Sequence, residues 1–127
     1  MPFVNIYLPE NYSRGLKEKI SYSVHESLIE IFSIPVNDYF QVIHPVSPEN
    51  LIFPESYLDI SHLSDLIYIQ IICGSGRTVE MKKSLYAVIV QKISLRTHIS
   101  ANDIIIVLNE TPFENWSFGL GKAQMIK

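Results

Sequence analysis

The sequence predicts an α/β protein with a two-layer (α+β) fold, in which two fused β-α-β units form a four-stranded sheet with two helices on one face. Two observations predict it. Strand-like runs alternate with long amphipathic stretches, and the whole pattern recurs 65 residues further along the chain. Internal repeats dictate architecture, because each copy folds in the same way. We expect a single domain over residues 1–127, made of two pseudo-repeats at about 2–55 and 67–121.

The first unit begins with a strand over residues 3–8. Ser13 is a good N-cap, and a helix is expected from there to about Phe32, because apolar residues recur at i, i+4 spacing along one face. These apolar positions are Leu16, Ile20, Val24 and Leu28. Pro35 ends the helix, and a second strand is predicted over residues 39–43.

The second unit matches the first position by position. A strand is predicted over residues 68–73, Thr78 is the N-cap, and the last strand is expected over residues 104–108. The apolar helical positions recur as Met81, Leu85, Ile89 and Ile93. A β-α-β crossover normally makes its two strands parallel, with a right-handed connection. Two such units side by side therefore predict one sheet with both helices on the same face.

The other face of this sheet would lie uncovered, and an edge hairpin is indicated at Asn50 to Phe53. A bare apolar face is a liability unless another subunit covers it, so we expect an oligomer, and a small ring closes repeated edges. A ferredoxin-like β-α-β-β-α-β monomer is the alternative that the same pattern permits. The unbroken repeat favours the paired β-α-β units.

Composition and charge argue against several classes of function. The net charge of −3 and the pI near 5.7 argue against nucleic-acid binding. The most apolar run, Leu66 to Cys73, is far too short for a membrane span, so no membrane partner is expected. The single cysteine favours a reducing compartment, which predicts a cytoplasmic location. The four histidines are scattered and no nucleotide-binding motif is present, so we expect neither a metal nor another cofactor.

Pro2 is the first candidate catalytic residue, because it directly follows Met1. Removal of the methionine would expose a secondary amine, which can act as a base or as a nucleophile toward carbonyls. Burial, or a cation beside it, would lower the pKa of that amine. Many chains begin with Met-Pro without catalytic consequence. The repeat supports a functional Pro2, because its equivalent, Ile67, begins a strand and Pro2 therefore starts inside the sheet.

A second candidate is the loop Gly74-Ser75-Gly76-Arg77, which joins a strand to the N-terminus of a helix. Small residues allow close approach of a ligand, a helix start offers free N–H groups, and Arg77 can bind a carboxylate with two hydrogen bonds. A simple turn with a surface arginine is the alternative. Asp38 could orient a water near Pro2, although its repeat equivalent, Asp103, suggests that both acids shape a turn.

Several motifs together carry a family resemblance. They are Pro2, Ile34-Pro35 with Asp38 and Gln41-Val42, Gly76-Arg77-Thr78-Val79-Glu80, and Asn115-Trp116-Ser117-Phe118-Gly119 with Gln124. The combination spans essentially the whole chain and resembles the tautomerase superfamily, in particular the branch that includes malonate semialdehyde decarboxylase. The resemblance implies a homotrimer in which an amino-terminal proline is catalytic. It also implies that Asp38 and Arg77 lie near that proline and that Trp116 and Phe118 form an apolar wall.

The residues and the resemblance together favour an isomerase, a keto–enol tautomerase of a small carboxylate substrate, namely a 2-oxo acid such as phenylpyruvate. Pro2 would move the proton, Arg77 would hold the carboxylate, and Asp38 would position water or a polar substrate atom. The decarboxylase carries two nearby arginines, and only the second has a counterpart here, which favours tautomerisation. The alternatives are decarboxylation or hydration of a 3-oxo or unsaturated acid, and a non-catalytic trimeric protein that binds carboxylates.

Overall fold

The computed structural model describes residues 2–63 and 65–127. Its helices and strands, in chain order, are β1 (Phe3–Pro9), α1 (Arg14–Phe32), β2 (Gln41–Val46), β3 (Ser56–Tyr57), β4 (Ile60–Ser61), β5 (Ile67–Gly74), α2 (Val79–Arg96) and β6 (Ile104–Thr111). Four strands form one sheet in the order β2-β1-β5-β6, and β3 and β4 form a separate hairpin. Neither α1 nor α2 is long and apolar enough to cross a membrane.

The strand order confirms the pair of β-α-β units. β1 pairs with β2 in parallel, β5 pairs with β6 in parallel, and the two units meet where β1 and β5 pair antiparallel. In a ferredoxin-like fold the two strands of each unit are split by another strand. Here they are direct neighbours, so the ferredoxin-like alternative is wrong.

Both helices pack against one face of the sheet, where they share a single hydrophobic core with it. Successive strand residues point to opposite faces, so every second residue of the central strands enters this core. The buried aliphatic core residues of these elements are Val4, Ile6, Leu8, Ile20, Val24, Leu28, Ile67, Ile69, Ile71, Leu85, Ile89 and Ile93. Each such side chain contributes about 1.5–3 kcal/mol when it leaves water. The predicted helical stripes are therefore confirmed, except that Leu16 and Met81 are only partly buried.

The helices begin where the sequence predicts. The Ser13 hydroxyl accepts a hydrogen bond from the Leu16 N–H at 3.1 Å, and the Thr78 hydroxyl accepts one from the Met81 N–H at 3.2 Å. Each bond satisfies one of the N–H groups that a helix start leaves without an intrahelical partner. Both predicted N-caps are confirmed.

The two halves are related by an approximate twofold axis that passes between Asn5 and Gln70. These residues are register partners on β1 and β5, and they are also equivalent positions of the repeat. The Asn5 amide donates to Gln70 Oε1 at 3.2 Å across this axis. Because β1 and β5 are antiparallel, they begin at opposite ends of the sheet, and so Pro2 and its repeat equivalent Ile67 lie at opposite ends. Of any two equivalent residues of the repeat, one therefore lies toward one end of the sheet and the other toward the opposite end.

Several strand boundaries differ from the prediction: β2 begins at Gln41 rather than at residue 39, and β6 extends to Thr111 rather than to residue 108. β2 extends to Val46 and includes Pro45, which the sheet tolerates because β2 is an edge strand and needs no N–H on its outer side. The hairpin expected at residues 50–53 lies later, at β3 and β4. Its two turn residues, Leu58 (φ 51°) and Asp59 (φ 62°), both adopt the left-handed conformation that tight hairpin turns require.

The sheet face opposite the helices is uncovered in the single chain. Val42 and Val107 on this face are 44% and 51% exposed. A row of side-chain hydrogen bonds crosses the face from β2 to β6: His44 to Asn5 at 2.9 Å, Asn5 to Gln70 at 3.2 Å and Gln70 to Asn109 at 3.1 Å. Each side chain of the row is thus hydrogen-bonded to its neighbour, and apolar residues lie on either side of the row.

Candidate active site

Pro2 is buried and lines a cavity of about 450 Å³ at the end of the sheet where β1 begins. Trp116 and Phe118 line the same cavity, together with residues 39–42 of the segment that leads into β2. The structure therefore brings together three of the predicted site residues. The predicted removal of Met1 concerns a residue outside the described part of the chain.

Asp38 and Arg77 lie on the wall of an adjoining cavity of about 520 Å³. This second cavity shares Phe40 and Phe118 with the cavity of Pro2. The two shared rings lie 6.0 Å apart, centroid to centroid. Asp38 and Arg77 do not line the cavity of Pro2 itself in the single chain. The Phe40–Phe118 pair therefore joins the two groups of residues, since both rings line both cavities.

The Arg77 guanidinium is held by two contacts within its own chain. Its Nη1 donates to the Gly74 carbonyl at 2.9 Å, and its Cζ lies 4.8 Å from the centroid of the Phe32 ring. A cation above an aromatic face is stabilised by the ring quadrupole. Of the described residues that line the two cavities, Arg77 is the only basic one. Arg14 lines neither cavity and pairs with Glu18 at 3.1 Å.

The loop before α2 is held from β6 by Glu110. Its carboxylate accepts a hydrogen bond from the Gly76 N–H at 3.3 Å and pairs with the Lys82 ammonium at 2.5 Å. The hydrogen bond from Lys82 is the main cause of a lowered pKa of Glu110. Gly76 has φ 119°, a conformation that favours glycine. The Gly76 N–H is thus already taken, and a carboxylate ligand would meet the Arg77 side chain rather than this amide.

Asp38 closes a turn and also faces a cavity. Its N–H donates to the Pro35 carbonyl at 3.0 Å, as the turn interpretation expects, and its half-buried side chain lines the cavity of Arg77. The repeat equivalent, Asp103, is only 1% exposed, and its carboxylate accepts the Leu63 N–H at 2.7 Å. The two equivalent carboxylates therefore have different surroundings.

The position equivalent to Arg77 is Tyr12, which is buried at the other end of the sheet. Its hydroxyl donates to the Asp65 carbonyl at 3.1 Å, and its ring meets His98 edge-on. Burial, and then the charge of Asp65, raise the pKa of Tyr12. This end of the sheet therefore has no cation where the opposite end has Arg77.

The aromatic wall is built by the segment after β6. The Trp116 indole N–H donates to the Thr111 hydroxyl at 2.7 Å, and the Trp116 and Phe118 rings stack with centroids 5.5 Å apart. The side chain of Gln124 then accepts the Phe118 N–H at 2.9 Å and donates to the Gly119 carbonyl at 2.8 Å. These bonds fold the segment back, so that both rings face the cavity of Pro2.

Cys73, the single cysteine, lies directly before the loop that carries Arg77 and is buried. Burial raises the pKa of its thiol, and the nearby Arg77 charge offsets this only in part. The thiolate is the nucleophilic form of cysteine. A buried thiol with a raised pKa is a core residue, and it offers no alternative nucleophile to Pro2.

Tyr39, Phe40 and Gln41 also line the cavity of Pro2, although the sequence marks them chiefly as part of a strand. The signal that could have found them is the parallel pairing of β1 and β2. It places the start of β2 beside the start of β1, with Gln41 opposite Val4. Two consecutive aromatic residues at that point indicate a wall of the same site.

Comparison with known proteins gives a consistent result. Two family models described as tautomerase enzymes match residues 38–119 and 2–58. The probable tautomerase YusQ of Bacillus subtilis is 38% identical over 127 residues, which is 100% of both chains. The malonate semialdehyde decarboxylase FG41, solved with the inhibitor 3-bromopropiolate, is 29% identical with a TM-score of 0.90, covering 96% of this chain and 92% of its own. A fused 4-OT solved as a symmetric trimer has a TM-score of 0.80, with 97% and 96% coverage, and at 15% identity it supports the fold alone.

Proposed function

Because the chain belongs to the tautomerase enzyme family, we propose that it interconverts the keto and enol forms of a small 2-oxo acid with an aromatic side group, of the phenylpyruvate type. One observation carries this proposal. Pro2 is buried in a cavity walled by Trp116 and Phe118, and the adjoining cavity holds the cation of Arg77. The site thus combines a base, an apolar wall and an anchor for a carboxylate.

In the proposed reaction, Pro2 becomes the amino-terminal residue when Met1 is removed, and its neutral amine takes a proton from C3 of the keto acid. The C2 oxygen gains negative charge as the C2–C3 double bond forms, and it then receives the proton from the Pro2 ammonium through a water positioned by Asp38, so that the amine is neutral again. The reverse sequence returns the proton from Pro2 to C3. A positioned acid or base of this kind contributes about 10²- to 10⁴-fold to the rate.

Arg77 is proposed to hold the substrate carboxylate. Its guanidinium has five N–H donors, and the structure commits one of them to the Gly74 carbonyl. Its fixed charge also disfavours a second positive charge nearby, which supports a neutral amine at Pro2. Phe40 and Phe118 lie between the two cavities, where the carbon skeleton of the substrate would pack.

We further propose that the protein acts as a homotrimer, as the fused 4-OT does, and that it is cytoplasmic. The uncovered sheet face supports an oligomer, because its exposed apolar residues gain from burial and the polar row between them is already hydrogen-bonded from His44 to Asn109. A partner subunit could also bring further residues to the cavities of Pro2 and Arg77.

The test is ketonisation of phenylenolpyruvate, followed by ultraviolet absorbance. We expect the wild-type rate to exceed that of buffer, and Pro2→Ala to lower kcat/KM by about 10²-fold or more. Pro45→Ala, on the edge strand, is the matched proline control and should stay within about twofold of wild type. Intact mass must show that Met1 is absent. A folded Pro2→Ala protein with the wild-type rate would exclude Pro2 as the base.

A second candidate is decarboxylation of a 3-oxo acid. The similarity to the FG41 decarboxylase favours it, and so does the cavity of about 520 Å³ that is lined by both the carboxylate of Asp38 and the cation of Arg77. Release of CO₂ from malonate semialdehyde, measured on the same preparation, tests it. A release rate equal to that of buffer would remove this candidate and leave the tautomerase proposal intact.

A further inference from the structure

One side chain of α1, Ser21, holds two residues of the Pro2 cavity wall. The Ser21 hydroxyl donates to Gln41 Oε1 at 2.7 Å, and the Gln41 amide donates back to the Ser21 carbonyl at 3.2 Å. The Tyr39 hydroxyl lies 2.7 Å from the same Ser21 hydroxyl. Ser21 is 9% exposed and lines neither the cavity of Pro2 nor that of Arg77. It can therefore affect a ligand there only through Tyr39 and Gln41.

The direction of these hydrogen bonds follows from proton count. A serine hydroxyl has one proton, and that of Ser21 is given to Gln41. Tyr39 must then be the donor to Ser21. The Ser21 hydroxyl is thus both acceptor and donor, and its removal would release two wall residues at once.

The Tyr39 ring is also held on its face. His25 stacks on it with ring centroids 3.8 Å apart and an angle of 18° between the planes. His25 is 2% exposed, and its Nε2 donates to the Val36 carbonyl at 2.7 Å. Tyr39 is therefore fixed at its hydroxyl by Ser21 and along its ring by a buried, anchored histidine.

Phe40 lies between the two held residues and is positioned by them. Its carbonyl accepts the Val4 N–H at 3.0 Å, which ties it to the strand that follows Pro2. Its ring lies 6.0 Å from that of Phe118, and both rings line both cavities. With residues 39 and 41 held by Ser21, the backbone of Phe40 is restrained on each side. Residues that line a binding cavity keep a fixed position only when neighbouring residues hold them by packing and hydrogen bonds.

We infer that Ser21 is a positioning residue that sets the preference of this cavity for a flat aromatic side group on the substrate. The inference rests on the proposed function and deepens it. A phenyl group would pack against the wall that Ser21 holds. A short side group would not reach that wall, so its reaction would not depend on Ser21.

The experiment compares kcat and KM for the enol forms of phenylpyruvate and of oxaloacetate, in wild type, Ser21→Ala, Tyr39→Phe and the double variant. Losing one such hydrogen bond costs about 0.5–1.5 kcal/mol, so we expect the KM for phenylenolpyruvate to rise roughly two- to thirteenfold. Both kcat values and the KM for the oxaloacetate enol should stay within about twofold of wild type. Because both single variants break the same bond, the double variant should raise KM by less than the product of their effects.

Ser94→Ala is the matched control, because Ser94 is a half-buried serine of α2 whose buried hydroxyl oxygen has no hydrogen-bond partner among the described residues. It should leave both KM values unchanged. Equal effects of Ser21→Ala on the two substrates, or no effect, would overturn the inference. If Ser21→Ala does not fold, Tyr39→Phe decides by the same criterion.

A failure of the proposed function gives a different result. If the wild type turns over neither enol, the binding of phenylpyruvate is measured by calorimetry instead. Weaker binding by Ser21→Ala than by Ser94→Ala would then support the positioning role without catalysis. Equal binding by the two variants would overturn it.

Discussion

Equivalent residues of the two halves have different roles, and the difference lies in what surrounds them. Asp103 is buried and accepts a backbone N–H, whereas Asp38 lies on the wall of a cavity. Arg77 lies over an aromatic ring at that cavity, whereas Tyr12 is buried and bonded to a carbonyl. Asp38 and Arg77 thus face a cavity at one end of the sheet, whereas their equivalents at the other end are buried and bonded within the chain.

Asp38→Asn separates the two candidate reactions. In tautomerisation the carboxylate only positions a water, which an amide can still do, so we expect kcat/KM to fall by less than about tenfold. Decarboxylation or hydration depends more on a charged carboxylate, so its rate should fall about 10²-fold or more. Both rates are measured on one preparation. A large loss of tautomerase activity would show that Asp38 does more than position a water.

Asp103→Asn is the control for this prediction. Its carboxylate is buried and bonded to the Leu63 N–H, so the change should lower the free energy of unfolding by about 1–3 kcal/mol. KM should not change, because the residue lies at the other end of the sheet. Urea denaturation and the enol assay give the two values.

At the scale of elements, the two helices are joined at their surface by ion pairs. Glu26 of α1 pairs with Lys92 at 2.5 Å and with Arg96 at 2.8 Å, both on α2. The hydrogen bond from Lys92, followed by that from Arg96, lowers the pKa of Glu26 from 4.5 to about 2. The Glu26 side chain is 30% exposed, so solvent screens the pairs and their contribution to stability is modest.

This lowered pKa predicts how stability changes with acid. A carboxylate whose pKa is lower in the folded state stabilises it above the unfolded pKa, and the contribution is lost as pH falls through the folded pKa. Glu26→Gln should therefore destabilise the protein by up to about 1 kcal/mol at pH 7. The difference from wild type should shrink between pH 4.5 and about 2, the two ends of the shift.

Thermal unfolding of wild type and of Glu26→Gln, from pH 7 to pH 2, measures this difference in stability. Glu30→Gln is the comparison, because Glu30 lies 3.8 Å from Lys92 and its side chain is 55% exposed. It should change stability less at every pH. A constant difference between wild type and Glu26→Gln across this range would show that the ion pairs do not cause the effect.

At the scale of the whole molecule, the prediction concerns assembly. Val107 lies on the uncovered sheet face, beside Gln70 of the polar row, and is 51% exposed in the single chain. If this face is buried between subunits, Val107→Glu places a charge in the interface, which is strongly unfavourable. We expect wild type to have three times the chain mass of 14.6 kDa, and Val107→Glu to have that mass alone.

Light scattering after size-exclusion chromatography gives these masses. Leu95→Glu is the control, because Leu95 belongs to α2, in the helical layer, and is 79% exposed. It should remain a trimer. A wild-type monomer, or a Val107→Glu trimer, would show that the sheet face is not the interface.

The two β-α-β units, their N-caps and their buried stripes could be predicted from the amino-acid sequence. These features depend on local periodicity and capping, which short segments carry without knowledge of their partners. The sequence also led to Pro2, Asp38, Arg77, Trp116 and Phe118, through their places in the repeat and through family motifs. All five lie on the walls of two adjoining cavities, although their chemical roles stay predictions.

The tertiary structure decides which cavity each of these residues lines. It also decides which other residues hold them in place. The antiparallel pairing of β1 and β5 sends the two copies of the repeat to opposite ends of the sheet. The parallel pairing of β1 and β2 brings Tyr39 and Phe40 to Pro2, and the packing of α1 places Ser21 behind them. These relations join residues that are distant in sequence. No local pattern encodes them, because they arise only when strands pair and helices pack.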